Sequence, residues 1–137
     1  NKIVEFKLYC EPKWDNSVKL NSDIYHITNS ENTEDILKYG LLPKSGKKKS
    51  YHPERSYFLL NIEDVDVILK HFKRMDKVSN EENSYDLLRI NTQNLKSFNF
   101  DGKLYDIVFY KDPNSNGVYT NDRINPENIE LYRKNIS

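Results

Sequence analysis

The chain alternates between short apolar runs with a two-residue period and two longer stretches with helical spacing. Residues 2–9 (KIVEFKLY) predict a half-buried strand, and the polar stretch 11–22, with Pro12 and Asn16, predicts a loop that Trp14 docks onto the core. Residues 24–28 predict a short strand. Asn29 or Ser30 then caps a helix whose first turns carry Glu31, Glu34 and Asp35, where the helix dipole favours acids. Ile36 and Leu37 face inward, Gly40 supplies the left-handed stop, and Pro43 forbids continuation. Residues 44–55 form a loop with four lysines, and 57–60 a compact apolar strand. A second helix follows over about 63–75, with Val65, Ile68, Leu69 and Phe72 on one face. Further strands are predicted at 85–90, 105–110, 118–120 and 129–133, with one helical turn at 92–95 and another opened by Pro126. Asp112-Pro-Asn-Ser-Asn-Gly is a strong turn signal. The pattern is that of an α+β domain of many short strands and two helices.

Length and composition narrow this picture. The 137 residues suit one domain, 1–137, with residues 1–22 as an N-terminal strand-and-loop arm. Lys plus Arg and Asp plus Glu both number 21, so overall charge cannot be what holds a nucleic acid. The lone cysteine, Cys10, makes no internal disulfide, fits a reducing cytoplasmic setting and excludes a cysteine-rich zinc site. The three histidines lie far apart in sequence, and no metal site is expected. No apolar run approaches the roughly 18 residues of a membrane span, so no membrane partner is expected. A start at Asn1 rather than Met is read as a trimmed or partial chain, a component of a larger assembly among the options. Frequent Lys, Asn, Ile and Tyr without alanine read as an AT-rich genome, such as that of a phage or a low-GC bacterium.

The motifs that carry chemistry are His26-Ile27-Thr28 on a strand, Gly40-Leu41 at a helix end, Arg55-Ser56-Tyr57 entering a second strand, and Gly117-Val118-Tyr119-Thr120 before a proline turn at 124–129. In this order they resemble the ADP-ribosyltransferase-like superfamily over about residues 24–131. Arg55-Ser56-Tyr57 looks like a hybrid of two branches. It has the strand-opening arginine of the tRNA 2′-phosphotransferases and the ring of the poly-ADP-ribose polymerases. The resemblance implies a split β-sheet core that grips NAD⁺, or an ADP-ribosyl nucleotide, between its central strands, with NAD⁺ as substrate. It implies His26, Tyr57 and Arg55 as catalytic residues, and His26, Thr28, Ser50, His52, Arg55, Tyr57 and Arg123 as the nucleotide-binding set. One departure stands out: polymerases and toxins carry a glutamate at the start of the last motif strand, where this chain has Gly117 and Val118.

Cleaving the nicotinamide–ribose bond builds positive charge on the sugar, as in glycoside hydrolysis. His26 on a rigid strand can bond a ribose hydroxyl, and Thr28 shares its face. The Tyr57 ring offers a stacking surface for a pyridinium. Arg55 and Arg123 suit phosphate, with Ser50, His52 and lysines 47–49 covering the pyrophosphate from the loop. Plainer roles compete. His26 also fits a satisfied structural histidine, Tyr57 is one of ten tyrosines, Arg55 can pair with Glu54 or Asp64, and the lysine run suits a solvated loop. Three functions stay open: transfer of ADP-ribose to a protein or nucleic-acid acceptor, a catalytically silent binding or structural module such as a phage inhibitor, and RNA 2′-phosphate end processing.

Overall fold

A computed structural model describes residues 17–43, 55–113 and 115–136. The strand expected at 2–9, Trp14, and most of the basic loop lie outside them. The described chain is mixed α+β, as the pattern predicts. Its main sheet has seven strands: β1 (Ser17–Val18), β2 (Ile24–Asn29), β3 (Ser56–Leu59), β4 (Tyr85–Ile90), β7 (Phe109–Lys111), β8 (Gly117–Thr120) and β9 (Ile129–Ile136). Their spatial order is β1-β7-β8-β3-β2-β4-β9, with every neighbouring pair antiparallel. A separate hairpin joins β5 (Lys96–Phe98) to β6 (Leu104–Asp106).

Helix α1 (Ser30–Tyr39) begins where its sequence says it should. The Asn29 side chain accepts from Glu31 N at 3.1 Å, relieving one of the unpaired donors of the first turn. It ends at Gly40, whose φ of 94° and N–H to Ile36 O close the last turn. A Cβ at Gly40 would collide with Ile124 O, so the glycine also permits the close Leu41–Ile124 bridge beside it. Helix α2 (Val65–Val78) follows a 3-10 turn, Ile62–Asp64, and runs three residues past the expected end.

Because strand side chains alternate, the sheet has two apolar faces. Ile24, Phe58, Leu88, Ile90 and Val118 pack with Ile36 of α1, Leu41, Phe109 and Ile124 on one. Ile27, Tyr85 and Leu87 pack with Val65 and Leu69 of α2 on the other. Strand β4 is buried along both faces, and each fully buried aliphatic there contributes roughly 1.5–3 kcal/mol.

A second layer of attachment is polar. Asp86, 2% exposed, accepts from Ser30 Oγ (2.8 Å), Thr33 Oγ1 (2.7 Å) and Asn135 N (2.9 Å), tying β4 to the start of α1 and to β9. Burial pushes its carboxyl upward. The bonds from Asn135, Thr33 and Ser30 and the charge of Lys134 outweigh that, so it sits below the usual carboxylate value.

Three local expectations need correction. The strand expected over 105–110 is two strands, β6 and β7, with Ile107 and Val108 between them. Residues 92–95 make a turn rather than a helical turn, and the loop predicted through 22 contains β1. The β5–β6 hairpin was hidden because Phe98, Phe100 and Leu104 look like core residues yet are exposed. Its turn is set by Asn99, which accepts from Asp101 N and Lys103 N, and by Gly102 at φ 76°.

Candidate functional site

The sheet opens between β2 and β3. All six residues of β2 register with β4 and all four of β3 with β8, but β2 and β3 share one register pair, Tyr25↔Leu59. Past that pair the strands part, and a cavity of about 690 Å³ lies at the opening. That volume falls within the range of small-molecule sites, about 300–1,000 Å³.

Across the split, His26 does what the main chain does not. Its Nδ1 donates to Tyr57 O at 2.7 Å, and its ring lies 5.4 Å from the Phe58 ring. With Nδ1 as the donor, Nε2 of the neutral imidazole is an acceptor. Tyr57, half exposed, turns by strand alternation to the face opposite His26, and its ring centre lies 6.0 Å from that of Tyr119. The Arg55 guanidinium lies 4.0 Å above the same Tyr119 ring, which stacks on Tyr110 at 5.4 Å. Thr28, buried, donates to Asn29 O at 3.4 Å.

His26, Thr28, Arg55 and Tyr57 all line the cavity. Arg123 does not. Its guanidinium donates to Tyr39 O and to Asn125 Oδ1 (2.6 Å), which caps the carbonyl end of α1. Ser50, His52 and lysines 47–49 lie outside the described residues. Among the described residues no group of three His, Cys, Asp or Glu side chains is placed to hold a metal ion, and no helix is long and apolar enough to cross a membrane.

The cavity also has walls that sequence reasoning missed. Asn32 of α1 lines it, as do Ile68, His71 and Phe72 of α2 and Asp112 and Ser115 of the β7–β8 turn. His71 is exposed on its helix, as helical spacing suggests, but the register that brings α2 to the cleft is non-local. Tyr85 closes the α2 side, and its hydroxyl donates to Asp76 Oδ2 at 2.8 Å. Burial, then the bond to Asp76 and its charge, push this phenol up to about 12.

Chemically, the opening combines an imidazole acceptor, hydroxyls, amides and an arginine–tyrosine stack around apolar walls. This can hold a polar, ring-bearing ligand of nucleotide size. Comparison with protein-family models, with curated proteins and with solved structures finds no match.

Proposed function

We propose that the chain is an ADP-ribosyltransferase-like domain that binds NAD⁺, or an ADP-ribosyl nucleotide, in the cleft between β2 and β3 and transfers ADP-ribose to a macromolecular acceptor in the cytoplasm. One observation carries the reading. The sheet opens at the strands bearing the His-x-Thr and Arg-x-Tyr motifs, and those four residues line the opening. Chance placement of His26, Thr28, Arg55 and Tyr57 around one cavity is a poorer account than a shared ligand.

In this reading His26 Nε2 accepts from a ribose hydroxyl, while the Nδ1–H bond to Tyr57 O fixes the tautomer and the ring. Thr28 supplies a second polar contact on the same strand. Tyr57 presents ring surface, with Arg55 providing the charge for a phosphate. The site then works by holding the sugar and stabilising the positive charge that grows as nicotinamide leaves.

The absence of an acid at Gly117 and Val118 favours, as the second reading, a catalytically silent domain that binds the same ligand. RNA end processing gains less support. It needs several cations on one phosphate, whereas Arg123 caps α1 and Arg89 pairs with Asp23 and Glu130. The deciding experiment incubates the protein with NAD⁺ labelled in the ADP-ribose moiety, together with protein and RNA acceptors. Label on a macromolecule supports transfer. NAD⁺ binding without label on any acceptor contradicts it and selects the silent domain.

A further inference from the structure

We infer that the macromolecular acceptor is a single-stranded nucleic acid whose backbone lies along the exposed face of α2 while its bases turn to the cleft. The inference rests on the nucleotide reading given above and names the acceptor class of the same site. It starts from the order of side chains around the helix. Ile68 and Phe72 are partly buried and line the cavity, and the exposed His71 lines it beside them. Val67, His71 and Met75 follow four residues apart, with Val78 three further on, so they form one stripe on the outer surface. Lys70, Arg74 and Lys77 form the next stripe, turned farther from the cleft by the helical repeat of about 3.6 residues.

The fold explains neither stripe. Val67, Met75 and Val78 are 67%, 50% and 77% exposed, while Val65 and Leu69 complete the core beneath them. Apolar residues grouped on the surface beside a cavity mark a contact face. Lys70, Arg74 and Lys77 are exposed, and their side chains make no hydrogen bond or ion pair among the described residues. Asp66 stands one turn before Lys70 without pairing to it, and Asp76 accepts from Tyr85 and Asn83 instead. Cations elsewhere are engaged: Arg89 with Asp23 and Glu130, Lys96 with Asp106, and Arg123 with the end of α1. A chain of zero net charge thus keeps a cationic stripe beside its cleft.

A nucleic-acid strand has the same order of surfaces, with charged phosphates on one side and apolar base faces on the other. At about 1.5 Å of rise per residue, the stripe from Lys70 to Lys77 spans roughly 10 Å. Stacked nucleotides rise about 3.4 Å each along one strand, so the stripe meets about three phosphates. The bases then rest on Val67, Met75 and the His71 ring, whose centre lies 6.3 Å from that of Phe72. A cationic track beside aromatic rings is the combination that holds single strands without sequence preference. A duplex keeps its base faces inside the stack, and an acidic peptide leaves the apolar stripe uncovered. In the transfer the C1′–N bond of NAD⁺ breaks and its electron pair goes to nicotinamide. An oxygen or nitrogen of the strand forms the new bond at C1′, and its proton passes to solvent.

The test follows fluorescent single-stranded DNA and RNA oligonucleotides by anisotropy over a salt series. Wild type should bind one or both, with log K falling against log salt at a slope of about −2, roughly 0.7 for each phosphate. Lys70→Gln, Arg74→Gln and Lys77→Gln together should flatten that slope and weaken binding about 10²-fold at about 50 mM salt. The same triple variant should keep wild-type NAD⁺ affinity by calorimetry. Lys19→Gln, Lys38→Gln and Lys103→Gln together change net charge equally on exposed sites away from α2, and should leave oligonucleotide binding intact. Val67→Ser with Met75→Ser should weaken binding at an unchanged slope. Label from ADP-ribose-labelled NAD⁺ should reach the oligonucleotide, and less of it in the α2 triple variant. The proposal is overturned, with the nucleotide reading intact, by several results. These are no oligonucleotide binding by wild type, equal losses in the two triple variants, poly-glutamate or anionic vesicles bound as tightly as oligonucleotides, or oligonucleotide binding without label. No NAD⁺ binding by wild type overturns the nucleotide reading and the acceptor role with it.

Discussion

The Nδ1 of His26 lies 2.7 Å from the carbonyl oxygen of Tyr57, bridging two strands whose main-chain register has already ended at Tyr25 and Leu59. A side chain thus takes over from the ladder at the point where the sheet opens. The two residues singled out by their motifs do meet, but through an imidazole and a carbonyl, while the Tyr57 ring turns to the other face and rests on Tyr119. The histidine both ties the two strands together and lines the cleft. Replacing it by alanine removes the bond to Tyr57 O, which itself contributes about 0.5–1.5 kcal/mol, measured by urea unfolding at unchanged m value. A stability loss several times larger would mean that His26 is chiefly a core residue.

Arg55 makes a second prediction. Its guanidinium carbon lies 4.0 Å from the centre of the Tyr119 ring, a cation–π contact in which arginine's broad planar group covers more of the ring than a compact ammonium does. Arg55→Lys should cost about 1 kcal/mol of stability and weaken ADP-ribose binding about tenfold. Wild-type affinity for ADP-ribose in this variant would remove Arg55 from the phosphate end of the site.

Asp86 is structural, and its effect has a pH signature. Its folded pKa lies below the unfolded value, so its contribution is complete above the ordinary carboxylate pKa and disappears as pH falls through the lowered folded value. Asp86→Ala strands the hydroxyls of Ser30 and Thr33 and should destabilise the protein by about 3 kcal/mol at neutral pH. Denaturant titrations from neutral to acid pH should show wild type and variant converging. A gap that stays constant into strong acid would contradict the assignment.

Tyr85 titrates in the opposite sense. Its folded pKa is raised from 10.0 to about 12, so its contribution is complete below the unfolded pKa and is lost as pH rises from there towards 12. Tyr85→Phe should be less stable than wild type at neutral pH, because the bond to Asp76 is gone, and should lose less stability between those two values. Thermal melts across that window check the difference between the two proteins, which cancels the other tyrosines.

Much of the fold is legible in the chain because its signals are local. Asn29, the following acids and Gly40 mark both ends of α1, and the apolar spacing of Val65, Ile68, Leu69 and Phe72 gives α2. The hairpin at 96–106 escapes because its turn depends on one asparagine side chain bonding two backbone amides, while its exposed Phe98 and Leu104 imitate core residues. The cleft is legible only in part. His26, Thr28, Arg55 and Tyr57 stand in recognisable motifs. Asp112, Ser115 and His71 join them through strand pairing and helix placement that no local pattern encodes. Arg123 reads as a free cation in the sequence, yet it is engaged at the end of α1, because a helix terminus offers carbonyls that a nearby guanidinium can satisfy.

The most direct test of the account is a calorimetric titration of NAD⁺ into the wild-type chain and into His26→Ala, with both variants shown to be folded by circular dichroism. The account predicts saturable binding by wild type and none by His26→Ala over the same concentration range. Equal binding by both proteins, or none by the wild type, would contradict it.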